Sequence, residues 1–229
     1  MVDMHSHCLP AIDDGAKNVN EALMMLEDAY NKGTRKIVLT PHLKAYSDEE
    51  LEESLKIRNN AYEEIFKAAR EKSALIPELI RGFEVHLDTD ITNLKGFESL
   101  CIEGTKLMLV ELPMWHWDKF ALDRIESLKA AGITPVIAHI DRYIGFERNI
   151  EKAIMLEGVI YQVNADAFLG YRRMRLIKKL FKLGKNVVAG SDMHNMSTRK
   201  NLLKEARKKA IKKNKGYEIM FNTELSSWV

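Results

Sequence analysis

The chain has 229 residues, 46% of them apolar, enough to bury a substantial core, and its 35 basic and 33 acidic side chains leave a net charge of +2 that gives no global pull toward a polyanion. No apolar run is long enough to span a bilayer, no basic and apolar leader opens the sequence, and the two cysteines, Cys8 and Cys101, form neither a disulfide scaffold nor a Cys-x-x-Cys pair. The expectation is one domain over residues 1–229, cytoplasmic, with reduced thiols, no membrane insertion and no nucleic-acid partner.

The first fifteen residues, MVDMHSHCLPAIDDG, concentrate Asp3, His5, His7, Asp13 and Asp14. In an extended strand residues two apart share a face, so His5 and His7 project together as a chelating pair, with Met4 and Ser6 on the other side. Val19, Ala22, Leu23, Leu26 and Tyr30 then recur at helical spacing up to a stop at Gly33. Residues 35–41 (RKIVLTP) read as a second strand ending at His42. Ser47-Asp48-Glu49-Glu50 has the form of a capping box and opens a long helix to about Ser73. A third strand is expected within 75–87, carrying Glu84, and a fourth at 106–113, carrying Glu111; a helix through Leu122, Ile125 and Leu128 follows and ends at Gly132. Residues 134–140 give the fifth strand with His139 near its end, 159–163 the sixth, followed by Asn164, and 186–189 the seventh, running into Gly190-Ser191-Asp192-Met193-His194. Further helices fit at 150–156, 176–183 and 198–213; the last is lysine-rich and reads as a solvated face.

Seven nearly continuous apolar strands alternating with helices argue for parallel β/α units covered on both faces. In a barrel of such units the site lies at the C-terminal ends of the strands. There fall His5, His7, His42, Glu84, Glu111, His139, Asp192 and His194, with the carboxylate pair Asp13 and Asp14 following the first strand. Imidazole mixed with carboxylate, without thiolate, suits Mn, Fe or Zn, and the donors exceed what one ion requires. Two or three divalent ions sharing a carboxylate fit this set, and such a cluster hydrolyses phosphate esters.

His5-Ser6-His7, Asp14-Gly15, Thr40-Pro41-His42, Gly82-Phe83-Glu84, Ala138-His139 and Asp192-Met193-His194 resemble the ordered motifs of the PHP (polymerase and histidinol phosphatase) superfamily. Within it, DMHSHCLPAIDDG, AHIDRY at 138–143 and SDMHNMSTR at 191–199 are similar to the bacterial manganese-dependent protein-tyrosine phosphatases of the CpsB/YwqE type. The resemblance implies a distorted (β/α)7 TIM-like barrel of the PHP type with a trinuclear centre. By the same resemblance His5, His7, Glu84 and Asp192 hold one ion, preferentially manganese, Glu84 with Glu111 and His139 a second, and Asp14, His42 and His194 a third. Asp13 is the rival to Asp14, and Asp3 an orienting partner. Arg142 and Arg199 match positions that hold the substrate phosphate, and a guanidinium can grip two phosphate oxygens. The implied substrate is phosphotyrosine in a protein, the tail of a bacterial tyrosine kinase of capsule or exopolysaccharide synthesis. The alternatives are a small-molecule phosphatase acting on histidinol phosphate or a nucleotide, and a non-catalytic binder of a phosphorylated kinase tail.

Two further features stay open on sequence. His86 shares a strand face with Glu84 and either reaches the site or serves the core. The Trp115-His116-Trp117 loop either walls a phosphotyrosine ring or packs over the rim. Neither cysteine suits a thiolate nucleophile, because the position six residues on is Asp14 for Cys8 and Leu107 for Cys101 instead of arginine.

Overall fold

The computed structural model describes residues 1–113, 117, 119–145 and 147–222. The chain opens with β1 (Val2–Ser6) and α1 (Val19–Asn31). Asn18 caps α1 by accepting the Glu21 N–H at 3.0 Å, and Gly33, at φ +97°, ends it in the left-handed conformation that glycine adopts without penalty. β2 (Lys36–Leu39) and β3 (His42–Leu43) follow, then α2 (Asp48–Glu71), whose Ser47 Oγ accepts the Glu50 N–H while the Glu50 carboxylate accepts the Tyr46 N–H at 2.7 Å. β4 (Glu78–Arg81), β5 (Glu84–His86) and β6 (Leu107–Glu111) lead to α3 (Lys119–Ala130), β7 (Thr134–Ile137) and α4 (Glu147–Ala153). The rest is β8 (Ile160–Asn164), α5 (Tyr171–Lys182), β9 (Val187–Gly190), α6 (Leu203–Lys213) and the short α7 (Ile219–Asn222).

All strand pairings are parallel, in the orders β1-β2-β4 and β3-β5-β6-β7-β8-β9. The two sheets are one surface. β2 and β3 are halves of a stave interrupted at Pro41, which has no N–H to give to a ladder, and β4 and β5 are halves of a stave interrupted at Gly82-Phe83. Hydrogen bonds run on across both interruptions, from Gly82 N–H to the Leu39 carbonyl and from Glu84 N–H to the Pro41 carbonyl, each 3.0 Å. The last stave returns to the first: Asp192 N–H donates to the His5 carbonyl at 2.8 Å and His7 N–H to the Met193 carbonyl at 3.0 Å. The seven expected strands thus form a barrel of seven staves.

Every stave contributes to one interior cluster, of Val2, Met4, Val38, Ile80, Leu107, Leu109, Val136, Ala138, Ile160 and Val188 with Ile102. Alternate residues face the helices instead, Ile37, Leu39 and Leu79 against α1 and α2, and Val110, Ile137, Tyr161 and Ala189 within the larger outer cluster. Burying each of the valine, leucine, isoleucine and methionine side chains among them contributes about 1.5–3 kcal/mol before conformational entropy is set against it. No helix among the described residues is long and apolar enough to cross a membrane.

Several boundaries differ from the sequence reading. The lysine-rich helix α6 begins at Leu203, not at residue 198, because the Asn195 side chain accepts the N–H groups of Ser197, Thr198 and Arg199 and holds that stretch as a turn, while the Asn201 side chain accepts the Leu203 N–H. α5 starts five residues before the expected 176 and α4 three before 150. The third strand is two pieces, since Gly82 lies so close to β2 that a Cβ there would sit 3.0 Å from Val38 Cγ1.

Candidate metal centre

A register irregularity in β1 between Asp3 and Ser6 shapes the heart of the rim. Simple alternation would separate Met4 from the histidines, yet Met4 joins the barrel interior just below them. His5 and His7 still converge, their Nε2 atoms 3.0 Å apart. Gly190 makes this possible, because a Cβ at that position would lie 2.7 Å from both His5 Cβ and Gln162 Nε2.

Glu84, only 1% exposed, stands at the centre. Its Oε2 lies 3.2 Å from His5 Nε2, 3.3 Å from His7 Nε2 and 3.0 Å from His42 Nδ1, and its Oε1 lies 2.8 Å from His139 Nε2. Asp192 Oδ1 faces the same pair of histidines, at 3.7 Å from His5 and 3.6 Å from His7. Burial works against charge on both carboxylates, but the facing histidines, His5 foremost, hold each well below the usual carboxylate range. Burial likewise opposes charge on His5, yet Glu84 and Asp192 push it up to about 9. Carboxylates held down beside a histidine held up describe a pocket that demands positive charge, from protons or from metal ions.

Two further groups adjoin this one. Asp14 Oδ1 lies 3.2 Å from His194 Nε2 and 3.5 Å from His42 Nε2, and donor atoms of His7, Asp14, His42 and His194 all fall within 4.8 Å of one another. Donors of His42, Glu84 and Glu111 do the same, with His139 Nε2 3.4 Å from Glu111 Oε1. The nine residues therefore meet at one rim, but they share donors more than the expected allotment does: His7 faces both His5 and the Asp14 group, and His42 faces both Asp14 and Glu84.

Asp13 and Asp14 take different places. Asp13 Oδ2 pairs with His7 Nδ1 at 2.7 Å and accepts the His42 N–H at 3.1 Å, which turns His7 Nε2 toward the centre; Asp14 is the one whose carboxylate meets His42 and His194. Against its burial, the pairing with His7 holds Asp13 at about 2. Asp3 accepts the N–H groups of His5 and Ser191 through Oδ1, the orienting position expected of it, with Oδ2 buried and without a hydrogen-bond partner.

Arg142 and Arg199 flank Asp192. Arg199 Nη2 donates to Asp192 Oδ1 at 2.9 Å, Arg142 Nη2 contacts Oδ2, and Arg199 also approaches Asp14 at 3.4 Å. Each side chain is about one-third exposed, 31% for Arg142 and 35% for Arg199, so both guanidiniums border the opening. His86 reaches the rim, with Nε2 3.3 Å from Glu111 Oε2 and Nδ1 2.9 Å from Asp88. Of the aromatic loop, Trp115 and His116 lie outside the described residues; Trp117 is buried, donates to the Pro113 carbonyl at 2.7 Å and meets Tyr143 edge-on at 5.0 Å.

Sequence reasoning missed Gln162 and Asn164. Gln162 Oε1 lies 3.1 Å from His5 Nδ1 and accepts the His139 N–H at 2.6 Å, and Asn164 Nδ2 donates to Asp192 at 2.7 Å. A proton on His5 Nδ1 bonded to the amide oxygen leaves Nε2 free to act as a ligand. The available signal was two amides at alternate positions of an otherwise apolar strand. His139 and Asp192 also have positive φ, 31° and 52°, unusual backbone for non-glycine residues and concentrated here at the rim.

A parallel β/α barrel carrying this rim of histidines and carboxylates defines the PHP-type class. The chain belongs to the CpsB/CapC family of capsular polysaccharide synthesis, whose model matches residues 1–224. It is 32% identical over 219 residues to the tyrosine-protein phosphatase CpsB of Streptococcus agalactiae, covering 91% of this chain and 88% of the relative. Identity to the tyrosine-protein phosphatase YwqE of Bacillus subtilis is 29% over 224 residues, covering 90% and 82%. Among solved structures, one from the work on Bacillus subtilis YwqE and Streptococcus pneumoniae CpsB, described as metal-dependent tyrosine phosphatases, superposes with a TM-score of 0.78 at 24% identity, covering 93% of this chain and 87% of that one.

Proposed function

We propose that this protein is a metal-dependent protein-tyrosine phosphatase of capsular polysaccharide synthesis, acting on the phosphotyrosine-bearing tail of a tyrosine kinase. The observation that carries the reading is Glu84: one buried carboxylate faced by four imidazoles and placed between neighbouring donor groups, where it would serve more than one divalent ion. Family membership and the relatives' activity support the substrate class.

His5, His7, Glu84 and Asp192 would hold one ion, Glu84 with Glu111 and His139 a second, and Asp14, His42 and His194 a third, with His7 and His42 placed to serve more than one. The imidazole and carboxylate donors fit manganese, iron or zinc, and the resemblance to manganese-dependent phosphatases puts manganese first. When bound, such ions supply charge for the phosphoryl oxygens and a water acidified enough to act as nucleophile at neutral pH. The chain's own residues do the rest. Asp13 and Gln162 fix the tautomers of His7 and His5, and Asn164 holds Asp192 in place. Arg142 and Arg199 turn from Asp192 to the substrate phosphate, two planar donors gripping its oxygens from one side. A phenolic leaving group, with a pKa near about 10, needs less help from a general acid than a serine alkoxide does, which favours phosphotyrosine over phosphoserine.

The deciding experiment is turnover of a phosphotyrosine peptide against histidinol phosphate in metal-free buffer, with Mn, Fe or Zn added back. The expected result is peptide hydrolysis that disappears on chelation and returns with Mn. Full activity in the chelated sample would remove the metal, and faster turnover of histidinol phosphate would reassign the substrate.

A further inference from the structure

Charge in this chain is segregated. Sixteen of the 35 lysines and arginines fall between residues 169 and 215, against two of the 33 acidic residues. The partly buried cations of that stretch are neutralised: Arg173 pairs with Asp166 at 2.8 Å, Lys185 with Glu157, and Arg207 with Glu218. The exposed ones are not. Arg172, Arg175, Lys178, Lys179 and Lys182 on α5, and the lysines of α6 from Lys204 to Lys213, have no carboxylate within 4.0 Å among the described residues.

The two helices make one face. Lys209 Nζ donates to the Leu169 carbonyl at 2.8 Å, tying α6 to the start of α5, and Tyr171, Met174, Arg175, Lys178, Lys209 and Lys213 line a shallow cavity of about 200 Å³ between them. Apolar side chains stand among the cations: Tyr171 is 81% exposed, and Leu169 and Leu183 are exposed near the two ends of α5. On the far side of the barrel α2 carries the opposite sign, with eight acidic residues among its 24. A molecule so polarised meets a negative surface in one orientation.

We propose that the α5–α6 face docks the protein peripherally onto an anionic lipid surface. Lysine dominates the unpaired cations, and a compact point charge on a flexible stem suits a diffuse negative headgroup layer, whereas bidentate readout of individual phosphates calls for arginine. The interleaved leucine and tyrosine side chains reach the headgroup level, where amphipathic residues are stabilised. Nucleic acid would call for aromatic platforms along a groove, and among the lining residues of this one Tyr171 is the only exposed aromatic. Because α5 starts just beyond the rim end of β8, docking holds the mouth of the barrel beside the surface.

The test is co-sedimentation of the full chain with phosphatidylcholine vesicles, with and without phosphatidylglycerol, at low and physiological salt. Binding is expected only with phosphatidylglycerol and should weaken as salt rises. Reversing Arg175, Lys178 and Lys179 together (R175E, K178E, K179E) should lower partitioning by roughly tenfold or more, with circular dichroism and melting temperature unchanged. If that variant fails to fold, neutralising Lys182, Lys212 and Lys213 to Gln replaces it, with a smaller loss expected. Equal partitioning to both vesicle types, or wild-type binding by a folded variant, overturns the proposal. Tighter binding to an oligonucleotide than to the anionic vesicles at the same salt also overturns it and assigns the face to nucleic acid.

Discussion

In the fourth stave Leu107 and Leu109 fill the barrel interior, and two residues on Glu111 joins the rim; in the second stave Val38 precedes His42, and in the third Ile80 precedes Glu84. Floor and rim are thus consecutive layers of the same strands, both removed from water. The floor gains free energy from apolar contact among valine, leucine, isoleucine, methionine and alanine side chains. The rim gathers carboxylates and histidines whose mutual pairing outweighs the cost of burying charge at Glu84, Asp192 and His5. The difference teaches where rigidity comes from: a close-packed floor fixes the backbone from which the rim side chains project, so the rim can hold an arrangement that would not assemble by itself. Changes in the floor should register in stability and changes in the rim in chemistry.

The sharpest attempt to break that division is Glu84→Gln. Turnover of a phosphotyrosine peptide should fall by about 10³-fold or more, roughly 4 kcal/mol in the barrier, with loss of bound metal by elemental analysis. The stability of the chelated protein should change by less than in a floor mutant. Near-normal turnover with normal metal content would take Glu84 out of the centre. In the floor, Leu109→Ala should cost about 3 kcal/mol in urea unfolding while turnover per folded molecule stays within a few-fold. An activity loss larger than the stability loss would mean the two layers are not separable.

Asp3 sits at the boundary and sharpens the comparison through pH. Burial raises its pKa to about 6, above the ordinary 3.8, so the folded chain binds more protons than the unfolded one between those values and stability falls as pH rises from about 4 to about 6. Asp3→Asn keeps the oxygen that accepts from Ser191 and His5 and puts an amide where the unpartnered Oδ2 was. It should stabilise the chelated protein by about 2 kcal/mol near pH 7 and by little near pH 4. Equal stability of the two proteins across that range would show Asp3 to be solvated or paired.

Arg142→Ala and Arg199→Ala should each weaken inhibition by inorganic phosphate about tenfold, near 1.4 kcal/mol, with metal retained. Because both arginines also contact Asp192, metal loss in either variant would make them supports of a ligand instead. The smallest effect is expected for Cys8→Ala combined with Cys101→Ala, whose rate should stay within a few-fold of the parent. Burial raises both thiols, Cys101 to about 11 and Cys8 well above its ordinary value, the reverse of what a thiolate nucleophile needs. A trapped phosphocysteine would end the metal reading.

Much of the floor was legible in the sequence, because strands covered on both faces are apolar throughout and stop abruptly at polar residues. The same stops marked the rim, which is why His42, Glu84, Glu111, His139 and Asp192 stood out. What could not be read depends on neighbours far away in the chain. The irregularity in β1 answers to β2 and β9, and the break at Gly82 to Val38. Gln162 is informative only once His5 is known to lie beside it, 157 positions earlier. The choice between Asp13 and Asp14 needed the turn that sends one toward His7 and the other toward His194. Helix starts near 198 failed for a local reason, an asparagine that captured the backbone donors first.

Closure of the barrel by its first and last staves has a consequence during synthesis. Asp3 receives its hydrogen bond from Ser191, 188 positions later, and His5 its strand neighbour from the same segment. At about 5–20 residues per second a ribosome takes roughly 10–40 s to cover that distance. For that interval the emerging chain displays His5, His7, Asp13 and Asp14 as a loose chelating tag with no barrel to order it. Any ion it picks up is held by a fraction of the final ligands and exchanges freely. On the proposed function the choice of metal falls to the closed rim, and a translation product that lacks the last stave would lack Asp192 and His194 from it.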